Sequence, residues 1–117
     1  MHTGAATSIA KMRARRKEFR YGNFHLNVRF KTAYDEGTAT LVNISTGGCA
    51  LKNLSPLMIA NDNFLLIIDP DDIDRPIQAK AVVLRVEGNT VAAQFTLIST
   101  DAQNALRNYF IKKQRNS

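Results

Sequence analysis

One cysteine, three prolines, two histidines and no tryptophan: these shortages narrow the 117-residue chain before any motif is sought. A lone Cys49 cannot close an internal disulfide, so a reducing cytoplasm is the expected compartment. His2 and His25 do not form a ligand cluster, and no metal constellation is available to them. No apolar stretch approaches the ~20 residues of a membrane span, and the N-terminus lacks the apolar core of a secretory signal, so no membrane span is expected. Internal repeats and low-complexity tracts are absent as well. The acidic run Asp69–Asp74 lacks the glycine and the distal glutamate of a helix–loop–helix calcium site, and Pro70 stiffens it. Cys49 has no base partner in the pattern, and no carboxylates are paired by a recognisable motif. No enzyme activity, metal or cofactor is therefore expected.

What is present is an ordinary globular composition, 44% hydrophobic and 22% charged, in a chain long enough for one core but not two. Its net charge of +6 is unevenly placed. Residues 1–31 carry eight Lys/Arg against Glu18 alone, a balance of +7, while residues 32–117 carry eight against nine acids, a balance of −1. Basicity belongs to one end, which points to an anionic partner for that end.

Residues 1–14 (MHTGAATSIAKMRA) have no apolar period and read as a flexible tail. The segment KMRARRKEFR, Lys11–Arg20, lacks an apolar stripe and reads as an arm whose order depends on what it binds. Phe24–Phe30 alternates strictly between apolar and polar residues, predicting a half-buried strand. Tyr34–Gly37 turns the chain, and Thr38–Ile44 and Cys49–Leu51 predict two further strands. Phe64–Ile68 is continuously apolar, as in a strand covered on both faces. Ile77–Val86 and Val91–Leu97 follow, joined at Glu87-Gly88-Asn89 by a tight hairpin. From Thr100 the period lengthens: Ala102, Leu106, Tyr109, Phe110 and Lys113 make one helical face, with Thr100 and Gln103 as a capping box. The expected fold is mainly β: six antiparallel strands in a barrel closed by a C-terminal helix, followed by a short tail at 114–117.

Between the second and third strands lies Asn43-Ile44-Ser45-Thr46-Gly47-Gly48. In an extended chain Asn43 and Ser45 share a face, setting an amide beside a hydroxyl. Gly47 and Gly48 allow a bend or the close approach of a ligand. A polar hairpin turn would have the same composition. The basic arm upstream, Arg16-Lys-Glu-Phe-Arg20, gives the stretch its interest. An R-x-x-x-R arm, a strand and turn, then [D/N]-x-S-x-x-G, further strands and a terminal helix together resemble the PilZ domain over residues 15–113.

PilZ domains are bacterial receptors for cyclic di-GMP, and the resemblance implies that ligand here. By that resemblance Arg16 and Arg20 clamp phosphate and guanine, and Asn43, Ser45, Gly47 and Gly48 cradle a base against the barrel. Arg15 is an added candidate, because an arginine there accompanies binding of an intercalated ligand dimer. Asn43 departs from the aspartate often found in the family, and an amide offers guanine one acceptor oxygen where a carboxylate offers two. The residue types suit the task without the family name. Guanidinium has a permanent charge and a planar fork for phosphate or the guanine O6/N7 edge, and it stacks on purines.

The implied device is an allosteric switch in which ligand orders the arm over the barrel and changes a surface read by a downstream protein. The resting state would be a monomer or a ligand-dependent homo-oligomer. Two rivals stay open. One is a basic barrel that binds nucleic acid, against which stands the lack of exposed aromatics suited to stacking bases. The other is a ligand-independent adaptor of the same fold.

Overall fold

The computed structural model describes residues 19–115. Side chains that alternate in sequence alternate in burial. In β1 (Arg20–Lys31) Val28 and Phe30 point inward while His25, Asn27 and Arg29 are exposed. β2 (Glu36–Ser45) returns antiparallel to it, with Ala39, Leu41 and Ile44 inside. β3 (Gly48–Ser55) pairs next, longer than the sequence suggested and ending just before Pro56. β4 (Asn63–Ile68) buries Phe64, Leu66, Ile67 and Ile68, the doubly covered run its composition predicts.

β5 (Ile77–Glu87) and β6 (Thr90–Leu97) form a hairpin over Gly88-Asn89. Only Gly88 of these two takes a positive φ, 61°, which is what a type II′ turn asks of its first central residue. The two three-stranded meanders join edge to edge. Around the barrel the order is β1-β2-β3-β6-β5-β4, and β4 closes onto β1 through Arg29↔Ile67, Phe30↔Leu66 and Lys31↔Leu65. Closure leaves no free edge among these strands.

One irregularity shapes the arm end. Gly22 pairs with Asn43 and Leu26 with Leu41, so β1 spends Asn23–His25 opposite Val42 alone. This bulge reverses the alternation: Tyr21 is buried on one side of it, and Phe24, Leu26, Val28 and Phe30 line the inside on the other.

The helix α1 (Thr100–Arg115) covers the barrel and packs against β5. Its cap is Ser99 rather than Thr100. The Ser99 hydroxyl accepts the Ala102 N–H at 3.0 Å and its carbonyl accepts the Gln103 N–H at 3.0 Å, so the expected Thr100–Gln103 box does not form. Leu106, Tyr109 and Phe110 are buried beneath it. Phe110 lies 5.5 Å from Tyr21 and 4.7 Å from Phe24, ring centre to centre, welding the helix to the first strand.

Cys49 sits inside the barrel wall, and burial pushes its thiol up to about 12. It is a small core residue and not a nucleophile. Against an exposed thiol near 9, the thiolate fraction at pH 8 falls about a thousandfold. Ellman's reagent at that pH is expected to modify the unfolded chain at once and the native chain only as fast as it opens. The sign of the linkage follows. Below pH 9 both states keep the proton, while above it only the unfolded chain ionises, so stability falls as pH rises from about 9 towards 12.

Candidate functional site

The register of β1 on β2 composes the site. Arg20 stands opposite Ser45, Tyr21 opposite Ile44, and Gly22 opposite Asn43. Tyr21 and Ile44 are buried, so their neighbours along each strand face outward. Arg20, Asn43 and Ser45 therefore share one outer face. Opposed residues on such a face hold their β-carbons about 5 Å apart, so the guanidinium and the hydroxyl start within reach of one ligand. Gly22 has no side chain to fill the space facing Asn43: even an added β-carbon would stop 3.7 Å from that of Asn43. The result is a shallow, open shelf walled by an arginine and floored by a glycine.

Hydrogen bonding determines what the shelf offers. The Ser45 hydroxyl donates to the Gly48 carbonyl at 3.3 Å, which spends its proton and leaves its lone pairs free to accept. The exposed Asn43 amide has no hydrogen-bond partner among the described residues and offers both donor and acceptor. Arg20 is exposed, and the four ion pairs of the described residues (Arg29–Asp69, Lys31–Glu36, Arg85–Glu87 and Lys113–Asp72) do not engage it. An unspent guanidinium fork, an amide and an acceptor oxygen side by side suit a phosphate attached to a purine edge.

The glycines divide their labour. Space is open around Gly47, where an added β-carbon would find no atom within 4 Å, and its carbonyl accepts the Phe95 N–H at 2.9 Å. A β-carbon on Gly48 would overlap the Ala93 carbonyl oxygen of β6, so this glycine lets β3 and β6 close together. Arg15 and Arg16 lie outside the described residues. Of the seven expected ligand contacts, Arg20, Asn43, Ser45, Gly47 and Gly48 are thus brought to one corner of the barrel.

Two residues of this corner were not singled out by the sequence. The Thr46 N–H donates to the Phe19 carbonyl at 3.1 Å, and the Thr46 hydroxyl accepts the Phe19 N–H at 2.8 Å. This two-way latch fixes the residue directly before Arg20. Phe19 in turn stacks on Tyr21 at 5.5 Å, and Tyr21 on Phe110. A threonine in a turn, with a hydroxyl able to bond nearby backbone, was the available signal for Thr46. Thr46→Val keeps the shape and removes the acceptor, and thermal unfolding should show a loss of about 1 kcal/mol.

Among the described residues no helix is long and apolar enough to cross a membrane, and no group of three or more His, Cys, Asp or Glu is placed to hold a metal ion.

Comparison with known proteins agrees with this fold. The family model of the PilZ domain matches residues 14–112. Among solved structures, the inhibitor of motility MotI/DgrA of Bacillus subtilis is similar at a TM-score of 0.67 and 26% identity, over 86% of this chain. This chain spans 51% of that protein's length. The PilZ domain of CeSA from a cellulose-synthesizing bacterium aligns at a TM-score of 0.63 and 14% identity, over 82% of this chain and 98% of its own. An uncharacterized Legionella protein, Lpg0364, aligns at 0.51 and 19%, over 85% of this chain and 99% of its own. At their identities the last two speak for the fold alone. Among curated protein sequences none matches this chain significantly.

Proposed function

This chain belongs to the PilZ domain family, and from that premise we propose that it is a receptor for cyclic di-GMP, bound on the shelf between Arg20 and the Asn43–Ser45 pair. The observation that carries the proposal is the register Arg20↔Ser45, Gly22↔Asn43, which puts the described half of the arginine motif against the polar motif on one open face. The arginine fork takes phosphate or the O6/N7 edge of guanine. The Ser45 lone pairs and the Asn43 amide take the guanine edge that carries N–H donors, and Gly22 and Gly47 leave the ring room.

Arg15 and Arg16 complete the clamp from the arm. Fixing that segment costs ~1–2 kcal/mol per residue, which the charge-assisted bonds must exceed. The latch between Thr46 and Phe19 lowers this cost by holding the arm's last residue in place before ligand arrives. Thr46→Val should therefore weaken cyclic di-GMP severalfold in addition to its small effect on folding. With the arm drawn over the barrel, arm and barrel form a new surface, and the chain acts through a protein that reads it in the cytoplasm.

Isothermal calorimetry with cyclic di-GMP tests the proposal, with linear dinucleotide, duplex DNA and single-stranded RNA as comparators at two salt concentrations. The expected result is saturable heat with the cyclic dinucleotide alone. One ligand per chain assigns Arg15 to solvent, and two per chain assign it to an intercalated dimer. A steep salt slope with no preference for the cyclic dinucleotide moves the function to nucleic-acid binding. No heat at all leaves an adaptor that works without ligand.

A further inference from the structure

One row of cross-strand partners leads away from the shelf across the outside of the barrel. Asn43 pairs with Ala50, Ala50 with Ala92, and Ala92 with Arg85. Partners in a ladder share a face. Ala50 lies between buried Cys49 and Leu51, and Ala92 between buried Val91 and Ala93, so the row faces outward with Asn43. Between Asn43 and Arg85 the row carries nothing larger than a methyl group. The floor that begins at Gly22 thus continues as a smooth trough over three strand spacings, about 14 Å.

Arg85 reaches this face because of a bulge. Val83 is fully buried, and strict alternation along β5 would turn Arg85 inward with it. Instead Val83 pairs with Ala93 and Arg85 with Ala92, so Leu84 is the extra residue and both it and Arg85 are exposed. Arg85 Nε lies 2.9 Å from the Glu87 carboxylate, in a pair whose side chains are 69% and 73% exposed. A pair so wet contributes little to stability. It occupies Nε and leaves the two terminal nitrogens of the fork unspent among the described residues.

We propose that Arg85 is a second guanine-reading arginine of the ligand site, set across the trough from Arg20. The inference rests on the receptor reading above and deepens it. Cyclic di-GMP has a guanine at each end, and the trough has a guanidinium at each end. One guanine lies on the Asn43–Ser45 pair; the ligand crosses Ala50 and Ala92, and the Arg85 fork donates to the O6/N7 edge of the other. Glu87 decides between base and phosphate. A carboxylate held beside Arg85 repels a phosphate and leaves a neutral base edge acceptable. Leu84 gives that base an apolar neighbour.

Calorimetry with cyclic di-GMP and with the mixed cyclic GMP–AMP tests the assignment on the full chain. Adenine presents an amino group where guanine presents O6, so an arginine fork distinguishes them. The parent is expected to prefer cyclic di-GMP. Arg85→Ala should weaken cyclic di-GMP about tenfold or more and the mixed nucleotide by less, narrowing that preference. Ala92→Leu raises a side chain from the floor and should weaken both nucleotides alike. Arg85→Ala that binds cyclic di-GMP as the parent does, or that loses both nucleotides equally, would overturn the role of Arg85 while leaving the receptor reading in place. Ala92→Leu that binds as the parent does would show that the ligand does not cross the trough. No heat from the parent with cyclic di-GMP would remove the receptor reading itself, and this inference with it.

Discussion

Replacing Arg20 by alanine is expected to lower cyclic di-GMP affinity by about a hundredfold or more while leaving the fold intact. The first half of that expectation comes from the bond count. A guanidinium gripping phosphate or the O6/N7 edge makes two charge-assisted hydrogen bonds, each worth roughly 1.5–3 kcal/mol. Losing both removes about 3 kcal/mol at the low end, and every 1.4 kcal/mol is a factor of ten. The second half comes from exposure: Arg20 is a solvent-facing first residue of β1 without an ion pair among the described residues. Surface changes of that kind stay within about 0.5 kcal/mol of stability. Arg20→Lys separates charge from geometry. It keeps the cation and loses the fork, so affinity should fall by roughly tenfold and become more sensitive to salt. Calorimetry on the three chains at low and moderate salt reads both effects. If Arg20→Ala binds as the parent does, the shelf is not the site.

The same residue shows how far sequence alone reaches. The strands were legible because period-2 patterning and turn residues are local properties: Phe24–Phe30, the Gly88-Asn89 hairpin and the apolar β4 are each explained by what lies within a few positions. The start of β1 was not. Phe19 and Tyr21 fall on odd positions, while Phe24, Leu26, Val28 and Phe30 fall on even ones. A strict alternation therefore cannot run through both sets, and the arm looked patternless. The bulge at Asn23–His25 absorbs the change of parity, so Arg20 belongs to the strand and not to the arm. The helix start was off by one residue because Ser99 and Thr100 are both good caps. Their choice depends on which hydroxyl meets a free N–H, and that is Ser99 with Ala102. Beyond local reach lay the β3–β6 and β1–β4 pairings, which join distant segments. Without them the overlap of Gly48 with β6 cannot be foreseen.

That overlap yields the largest expected effect on stability. Gly48→Ala should destabilise the barrel by about 3 kcal/mol, whereas Gly47→Ala, one residue earlier in the same turn, should be nearly neutral. Neither glycine has a positive φ, so backbone freedom does not separate them; Gly88 alone among the glycines of the described residues has one. What separates them is the direction of the missing β-carbon. At Gly48 it would run into the Ala93 carbonyl, with the Ala93 carbonyl carbon and the Gln94 Cα each at 3.2 Å, and all three atoms are backbone in the paired strand. A backbone oxygen cannot rotate away as a side chain can, so β3 must pull back from β6. Retreat lengthens the ladder through Cys49↔Ala93 and Ala50↔Ala92 and opens the seam joining the two meanders. Overpacking alone costs typically 1–3 kcal/mol, and the strained ladder places this site at the top of that range. At Gly47 the space is open, so an added methyl meets nothing and the unfolded chain loses a little entropy. Chemical denaturation of the two variants gives the stability difference directly. Cyclic di-GMP titration then shows whether the room above Gly47 is used by the ligand: Gly47→Ala should keep its stability and bind more weakly. Equal stability of the Gly47 and Gly48 variants would show that β3 and β6 do not close as tightly as this seam requires.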